Sequence, residues 1–355
     1  MHIGIDLGFG NLHENLADDE VYAGEMRLAD VAEQLGFDSV WAVEHHFSDY
    51  GMCPDNILFL AHVAARTERV KLGTGAVIVP WHDPLRVAER MIMLDLLSGG
   101  RALLGLGRGL SRAEYASFRI PMAESRGRFD EAAAMIVDAL DTGYIQGAGP
   151  FYPQPRTPLR PRPRGSFAGR LYCAASSPDS VASAVELGAR LLTFVTKPVA
   201  ESMDLFTSYR DQYRARHQVE APPIMFMINL YCAEDGALAR ERAHGYVEKF
   251  FHAHVRHYEM TGDHFGGTAG YQRYGQLAEA LRESGLASAV DRYAASALIG
   301  SPQEVLAKIV EIHDALGGFG LAVTPSFGGM PYEEAERSLE LFGKEVLPAA
   351  RGLGE

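Results

Sequence analysis

The sequence predicts an α/β fold, one closed eight-stranded parallel β/α barrel that carries a late insertion shaped like a lid. Three observations lead there. Short apolar runs alternate with longer helical stripes along the chain, the pattern of consecutive β/α units. Residues 70–79 and 102–106 are apolar almost throughout, as strands buried on both faces must be. Eight strand and helix pairs without an internal repeat favour one barrel over two doubly wound domains, so residues 1–355 are expected to form a single domain.

Residues 2–7 read as the first strand. Asp18, Asp19 and Glu20 bring acidic side chains to the start of a helix of about 15 residues that ends near Gly36. Strand two covers 39–43. Pro54 marks a helix start, because Ile57, Leu58, Leu60, Ala61, Val63 and Ala64 recur at helical spacing. Strand three covers 70–79. Pro84 opens a helix whose Val87, Met91, Leu94 and Leu97 form one stripe, stopped by Gly99 and Gly100. Strand four covers 102–106, and after a polar connector a long helix runs from 126 to 142.

Residues 144–169 differ in texture. Pro150, Pro153, Pro155, Pro158, Pro161 and Pro163 accompany four arginines, too much proline for regular structure, and they read as an ordered surface excursion. Strand five covers 171–174, followed by a helix capped at Ser176 and Ser177. Strands six and seven cover 191–196 and 224–232, and a helix spans 237–258. Residues 259–296 contain Gly266, Gly267 and Gly270 and read as the lid. Ser301 and Pro302 start the next helix, strand eight covers 319–323, and a helix over 331–347 follows.

A formal net charge of −13 argues against nucleic-acid or anionic-membrane partners. Cys53, Cys173 and Cys232 are scattered, so no disulfide framework is implied and a reducing compartment suits them. The first residues read as a strand rather than a leader, and no apolar run is long enough for a membrane span, so the chain is expected in the cytoplasm.

The residues that carry chemistry collect at predicted strand ends. Strand two runs into Glu44-His45-His46-Phe47, and strand three contains Gly73-Thr74-Gly75-Ala76 with His82-Asp83-Pro84 and Arg86 behind it. Leu94-Asp95 and Gly99-Gly100-Arg101 precede strand four, and Arg108-Gly109-Leu110 and Ser125-Arg126 follow it. The order and spacing of these segments resemble the bacterial luciferase-like flavin monooxygenases, in particular the alkanal monooxygenase α-subunit type. The likeness is close over roughly the first 200 residues and looser beyond.

That resemblance implies a two-component monooxygenase. Reduced FMN and dioxygen would oxygenate a small apolar organic substrate through a flavin 4a-hydroperoxide, and a separate NAD(P)H flavin reductase would supply the reduced flavin. It implies a non-proline cis peptide between Gly75 and Ala76 behind the flavin ring. It assigns Gly75, Ala76, Arg108, Leu110, Arg126, Ser176 and Ser177 to the cofactor. Arginine's planar fork suits the phosphate, as do the N–H groups at a helix start. Ala175 stands where the family has glutamate, and the turn is one residue longer. Gly107 replaces the reactive cysteine of the luciferases, and Phe194 stands where tryptophan is frequent.

His45 occupies the position of the family's catalytic histidine. Imidazole titrates near neutrality and can take or hold a proton, with His46 and Glu44 in support. A histidine pair satisfied by structural hydrogen bonds is the competing reading. Met52, Trp81, Phe194 and Tyr231 are candidates for an apolar substrate pocket. Gly105, Gly107 and Gly109 lack the third glycine of a dinucleotide fingerprint, since Leu110 stands there, and this sends the nicotinamide chemistry to a separate reductase. His252, His254, His257, Asp263 and His264 match no metal-ligand spacing and read as an exposed polar helix face, so no metal is expected. The resemblance further implies a homodimer through the helices after strands two and three. Two other readings stay open, a deazaflavin-dependent dehydrogenase or reductase and a non-catalytic flavin-binding barrel.

Overall fold

A computed structural model describes residues 1–268 and 270–353. Eight parallel strands form the barrel: β1 (Ile3–Leu7), β2 (Ser39–Ala42), β3 (Lys71–Thr74), β4 (Ala102–Gly107), β5 (Leu171–Ala174), β6 (Arg190–Phe194), β7 (Met225–Cys232) and β8 (Gly320–Thr324). Each pairs with its sequence neighbours, and β8 also pairs with β1, placing Val323 and Val40 on either side of Ile5. The ring is closed, so its strand edges are all paired.

Alternation along each strand produces two cores. Ile3, Ile5 and Leu7 of β1 point outward into the layer shared with the helices. Trp41, Ala76, Leu103, Tyr172, Leu192, Met225, Met227 and Ala322 fill the interior. A plugged barrel leaves chemistry only to its mouth, where the strands end.

Local signals explain most boundaries. Asp83 caps the helix Pro84–Leu97 by accepting from Leu85 N, with Pro84 in its first turn as the sequence predicts. The helix expected from Pro54 begins at Asn56 instead, because Asp55 is its cap and accepts from Leu58 N. The helix Asp18–Leu35 ends at Gly36, whose φ of 84° suits a residue without Cβ.

Four expectations need correction. Residues 70–79 are not one strand: the Gly75–Ala76 peptide is cis, as the resemblance implies, and pairing with β4 resumes only at Val77–Ile78. The buried amide of Asn56 ties this break to the end of β2 by donating to the carbonyls of Ala42 and Ala76. The proline-rich excursion contains regular structure, an antiparallel ribbon of Tyr144–Gly147 with Gln154–Pro158. A two-stranded ribbon needs hydrogen bonds along one edge only, which tolerates Pro155 and Pro158. The helix Met203–His217 between β6 and β7 has no counterpart in the sequence reading, since only Phe206 and Tyr209 of it are buried. Residues 259–296 hold two helices, Gln272–Ser284 and Leu286–Ser296, and an unexpected strand, Leu298–Gly300, then pairs with the end of β7. Among the described residues, no helix is long and apolar enough to cross a membrane.

Two buried carboxyls flank β1. Burial pushes Asp6 up to about 7, with Thr324 pulling it back, and pushes Glu25 up to about 8 against the hydrogen bond from Tyr332. Both folded values lie above the unfolded ones. The folded chain therefore keeps protons that the unfolded chain has lost, and their contribution to stability disappears as pH rises through about 7 and about 8. Each group costs about 1.4 kcal/mol per pH unit between its ordinary carboxylate value and its folded one, and nothing further above that. The melting temperature is expected to fall between about pH 5 and about pH 8, and Glu25→Gln should flatten the part of that fall above pH 7. A parallel decline in both proteins would refute it.

Candidate active site

β2 delivers His45 to the mouth, where three distant elements meet it. Its Nδ1 lies 3.4 Å from Oε1 of Glu114, on the short helix Arg112–Ser117 that follows β4. Its Nε2 lies 3.3 Å from the hydroxyl of Tyr258, just beyond the helix Gly236–His257. The rings of Tyr50 and His257 each pack edge-on to it with centroids 5.0 Å away. Glu114 Oε1 also accepts from His46 N at 2.8 Å, while its Oε2 faces His257 Nε2 at 3.6 Å. Ser48 Oγ and Tyr50 OH lie 3.0 Å from Nδ1 of His257 and of His254.

Charge in this cluster rests on the carboxylate. Burial alone would raise Glu114, but its close approach to the His257 and His45 rings outweighs it and holds the group at about 2. Burial lowers His257 despite the pull of Glu114, and brings His254 to about 3. Burial likewise keeps the Tyr258 hydroxyl protonated. An ionised Glu114 beside Nδ1 favours the tautomer with its proton there, leaving Nε2 to accept or return one.

Of the two histidines that follow it, Glu44 holds His46 and not His45. Its carboxylate bonds His46 Nε2 at 3.2 Å, His82 Nε2 at 2.7 Å and Ile78 N at 3.1 Å. Residues two apart on extended chain share a face, so Glu44 and His46 point together and His45 points away. His46 is buried against Trp81, Phe47 and Phe118 and belongs to the wall. The histidine-rich helix is not an exposed polar face either. His254 and His257 turn into the mouth, whereas Asp263 pairs with Arg282. Donor atoms of His45, Glu114 and His257 lie within 4.8 Å of one another, a grouping that no sequence spacing announces.

The second pole of the mouth is cationic. Ser177 caps the helix Pro178–Glu186 by accepting from Ser180 N. Arg126 donates to Ser183 Oγ at 2.8 Å and to Ser180 Oγ at 3.2 Å beside it. Arg108, buried, donates to the Gly270 carbonyl at 3.0 Å and lies 3.8 Å over the ring of Tyr271. Arg108 Nη1 and Arg126 Nε have no hydrogen-bond partner among the described residues. A cavity of about 560 Å³ opens between Ser177 and Pro178 on one side and Gly270 and Tyr274 on the other. The free Nε of Arg126, beside a helix N-terminus and on a guanidinium whose Nη1 lies 3.6 Å from Asp130, and the free Nη1 of Arg108, beside Gly270, fit an anionic tail such as a phosphate.

The profile of luciferase-like monooxygenases matches residues 1–317. The chain belongs to this family. It is 30% identical over 341 residues to 4-hydroxyprotoasukamycin monooxygenase of Streptomyces nodosus subsp. asukaensis, covering 92% of this chain and 86% of the relative. It is 26% identical over 337 residues to the alkanal monooxygenase alpha chain of Photobacterium leiognathi, covering 93% of each. The crystal structure of monooxygenase RslO1 from Streptomyces bottropensis superposes with a TM-score of 0.74 at 32% identity, covering 98% of this chain and 99% of that one.

The other predicted site residues of this luciferase-like monooxygenase are dispersed. Gly75 and Ala76 end β3 in the barrel interior, and Leu110 is partly exposed after β4. Ser176 shares a hydrogen bond of 2.6 Å with Tyr274 of the helix Gln272–Ser284. Trp81 is stacked on Phe118 with centroids 5.3 Å apart, forming wall rather than open pocket. Met52 packs against the outer core and its carbonyl accepts from Tyr22. Phe194 ends β6 and is 43% exposed. Tyr231 is displaced from its predicted role: the added strand Leu298–Gly300 pairs there, and the hydroxyl goes to Glu334 beside Tyr246, away from His45. The sequence reading missed Glu114, Tyr258 and Tyr50, and it named His257 only as part of an exposed helix face. For Glu114 the only local signal is Ser111-Arg112-Ala113-Glu114, which reads as a capping box and so conceals the contact with His45.

Proposed function

We propose that this chain is the oxygenase component of a two-component FMN monooxygenase acting on an apolar organic substrate. The observation that carries the reading is the pair of buried arginine donors without a partner among the described residues, Arg126 beside the capped helix and Arg108 beside Gly270, on the chain that also brings His45 and Glu114 together. Arg108, Arg126 and Ser177 hold the phosphate, and the bare backbone at Gly75 receives one face of the ring. Bound as reduced flavin, FMN supplies the electrons that activate dioxygen for insertion of one oxygen atom. His45 takes and returns a proton at Nε2, Glu114 holds its ring, and the Gly270 to Tyr274 segment keeps water out. Gly105 and Gly107 are committed to β4, which supports delivery of reduced flavin by a separate reductase.

Anaerobic titration with reduced FMN, followed by rapid mixing with oxygen, tests the reading. Saturable binding and an absorbing transient that outlives free reduced flavin are expected, with one atom of labelled oxygen in the product. Parallel titration with a deazaflavin discriminates further, because preferential deazaflavin binding without oxygen consumption would move the function to hydride transfer.

A second copy of the chain is the proposed occupant of the helices after β2 and β3. Leu58 is 70% and Leu97 65% exposed, with Met93 and Leu96 beside them, a larger apolar surface than single scattered residues make. Light scattering should report a dimer, and Leu58→Asp with Leu97→Asp should leave a folded monomer. A monomeric parent protein would end this expectation.

A further inference from the structure

Asp6 is a carboxyl that neither the His45 cluster nor the phosphate pole uses. It sits in the barrel interior on β1, 3% exposed. Its Oδ2 accepts from the Thr324 hydroxyl at 3.3 Å, and its Oδ1 has no hydrogen-bond partner among the described residues. That free oxygen borders the bare side of Gly75. A Cβ at Gly75 would stand 3.6 Å from Asp6 Oδ1 and 2.9 Å from Met227 Cε. Neither neighbour can satisfy it, because the thioether has no proton to give and Gly75 N already donates to Ala42 O at 2.8 Å. A desolvated carboxylate with one weak donor is unfavourable, whereas a carboxylic acid in the same place is a donor in need of an acceptor. Burial pushes Asp6 in that direction, up to about 7.

We infer that Asp6 is a cofactor-recognition residue whose Oδ1 hydroxyl donates a hydrogen bond to an acceptor atom of the flavin ring lying over Gly75 and Ala76. The inference rests on the FMN reading above. The isoalloxazine ring suits the role, since its carbonyl oxygens and ring nitrogens supply acceptors to a corner that otherwise has none to offer Oδ1. The titratable groups that face Asp6 hold their protons around neutrality, and ionisation of Asp6 would push Glu25 and Tyr50 further up. Glu25, from the helix Asp18–Leu35, is hydrogen-bonded by Tyr332 and stays protonated up to about 8. Tyr50, from the loop after β2, is pushed up by burial. Thr324, Met227 and Gly75, from β8, β7 and β3, bring no charge.

The test compares the parent chain with Asp6→Asn and Asp6→Leu by titrating oxidised FMN and riboflavin at pH 6 and pH 8.5, following the flavin absorption band and checking folding by thermal melts. Riboflavin lacks the phosphate, so its affinity does not follow phosphate ionisation. The parent chain should bind riboflavin about tenfold more weakly at pH 8.5, because the donor has become a carboxylate. Asp6→Asn keeps an N–H donor and should lose the pH dependence while staying within about twofold of the pH 6 affinity. Asp6→Leu should lose about tenfold at pH 6 and shift the band toward that of free flavin. A folded Asp6→Leu chain with parental affinity and spectrum for both ligands overturns the inference and leaves the FMN reading standing. A parent chain that binds neither ligand removes both.

Discussion

His45→Ala should lower turnover by about 100-fold or more while FMN affinity stays within about twofold, the range expected when a positioned acid or base is lost. The imidazole is placed by contacts that FMN does not need: Glu114 at Nδ1, Tyr258 at Nε2, and the edges of Tyr50 and His257. Glu114→Gln tests the same arrangement from the other side. The amide keeps the shape and removes the negative charge, so turnover should drop about tenfold and the pH profile should move with it. His46→Ala sets the contrast: this side chain is bonded to Glu44 and packed on Trp81, so its loss should lower stability more than the catalytic constant. The measurements are steady-state product formation with a reductase and flavin binding by fluorescence. Equal losses of binding and turnover in His45→Ala would assign the residue to cofactor binding instead.

Arg108→Ala together with Arg126→Ala should weaken FMN about 100-fold or more and leave riboflavin nearly unaffected. A hydrogen bond to a charged group contributes about 1.5 to 3 kcal/mol, so each arginine accounts for roughly tenfold or more. Arg108→Lys should recover only part of the loss, because an ammonium cannot reproduce the guanidinium fork. Arg108 also contacts Gly270 and Tyr271, so the single alanine variant should loosen residues 270–274 as well. Isothermal titration with the two ligands separates the effects. An equal loss for riboflavin would place the arginines at the ring and not at the tail.

The barrel was legible because its signals are local. Continuous apolar runs, Pro84 at a helix start, capping at Ser177 and the glycine after Leu35 each depend on a few neighbouring residues, and the resemblance carried by the motif spacing from Glu44 to Arg126 brought the cis peptide with it. The errors fall where a residue's partner is remote. Residues 70–79 are apolar enough for one strand, yet the break at Gly75 is held by Asn56 from another unit. Tyr231 has the composition of a pocket residue, but the extra strand at Leu298–Gly300 and the carboxylate of Glu334 claim it.

Composition and spacing were enough for the β/α alternation, the family and the imidazole at the end of β2, since all of these are written in neighbours along the chain. They could not say which acid serves that imidazole. Glu44 is adjacent in sequence but lies on the opposite side of an extended backbone, while Glu114, 69 residues away, is brought against His45 only once β2 and β4 close into one ring. His257 and Tyr258 join from a helix near the end of the fold for the same reason, because burial and charge are shared through space and not along the chain.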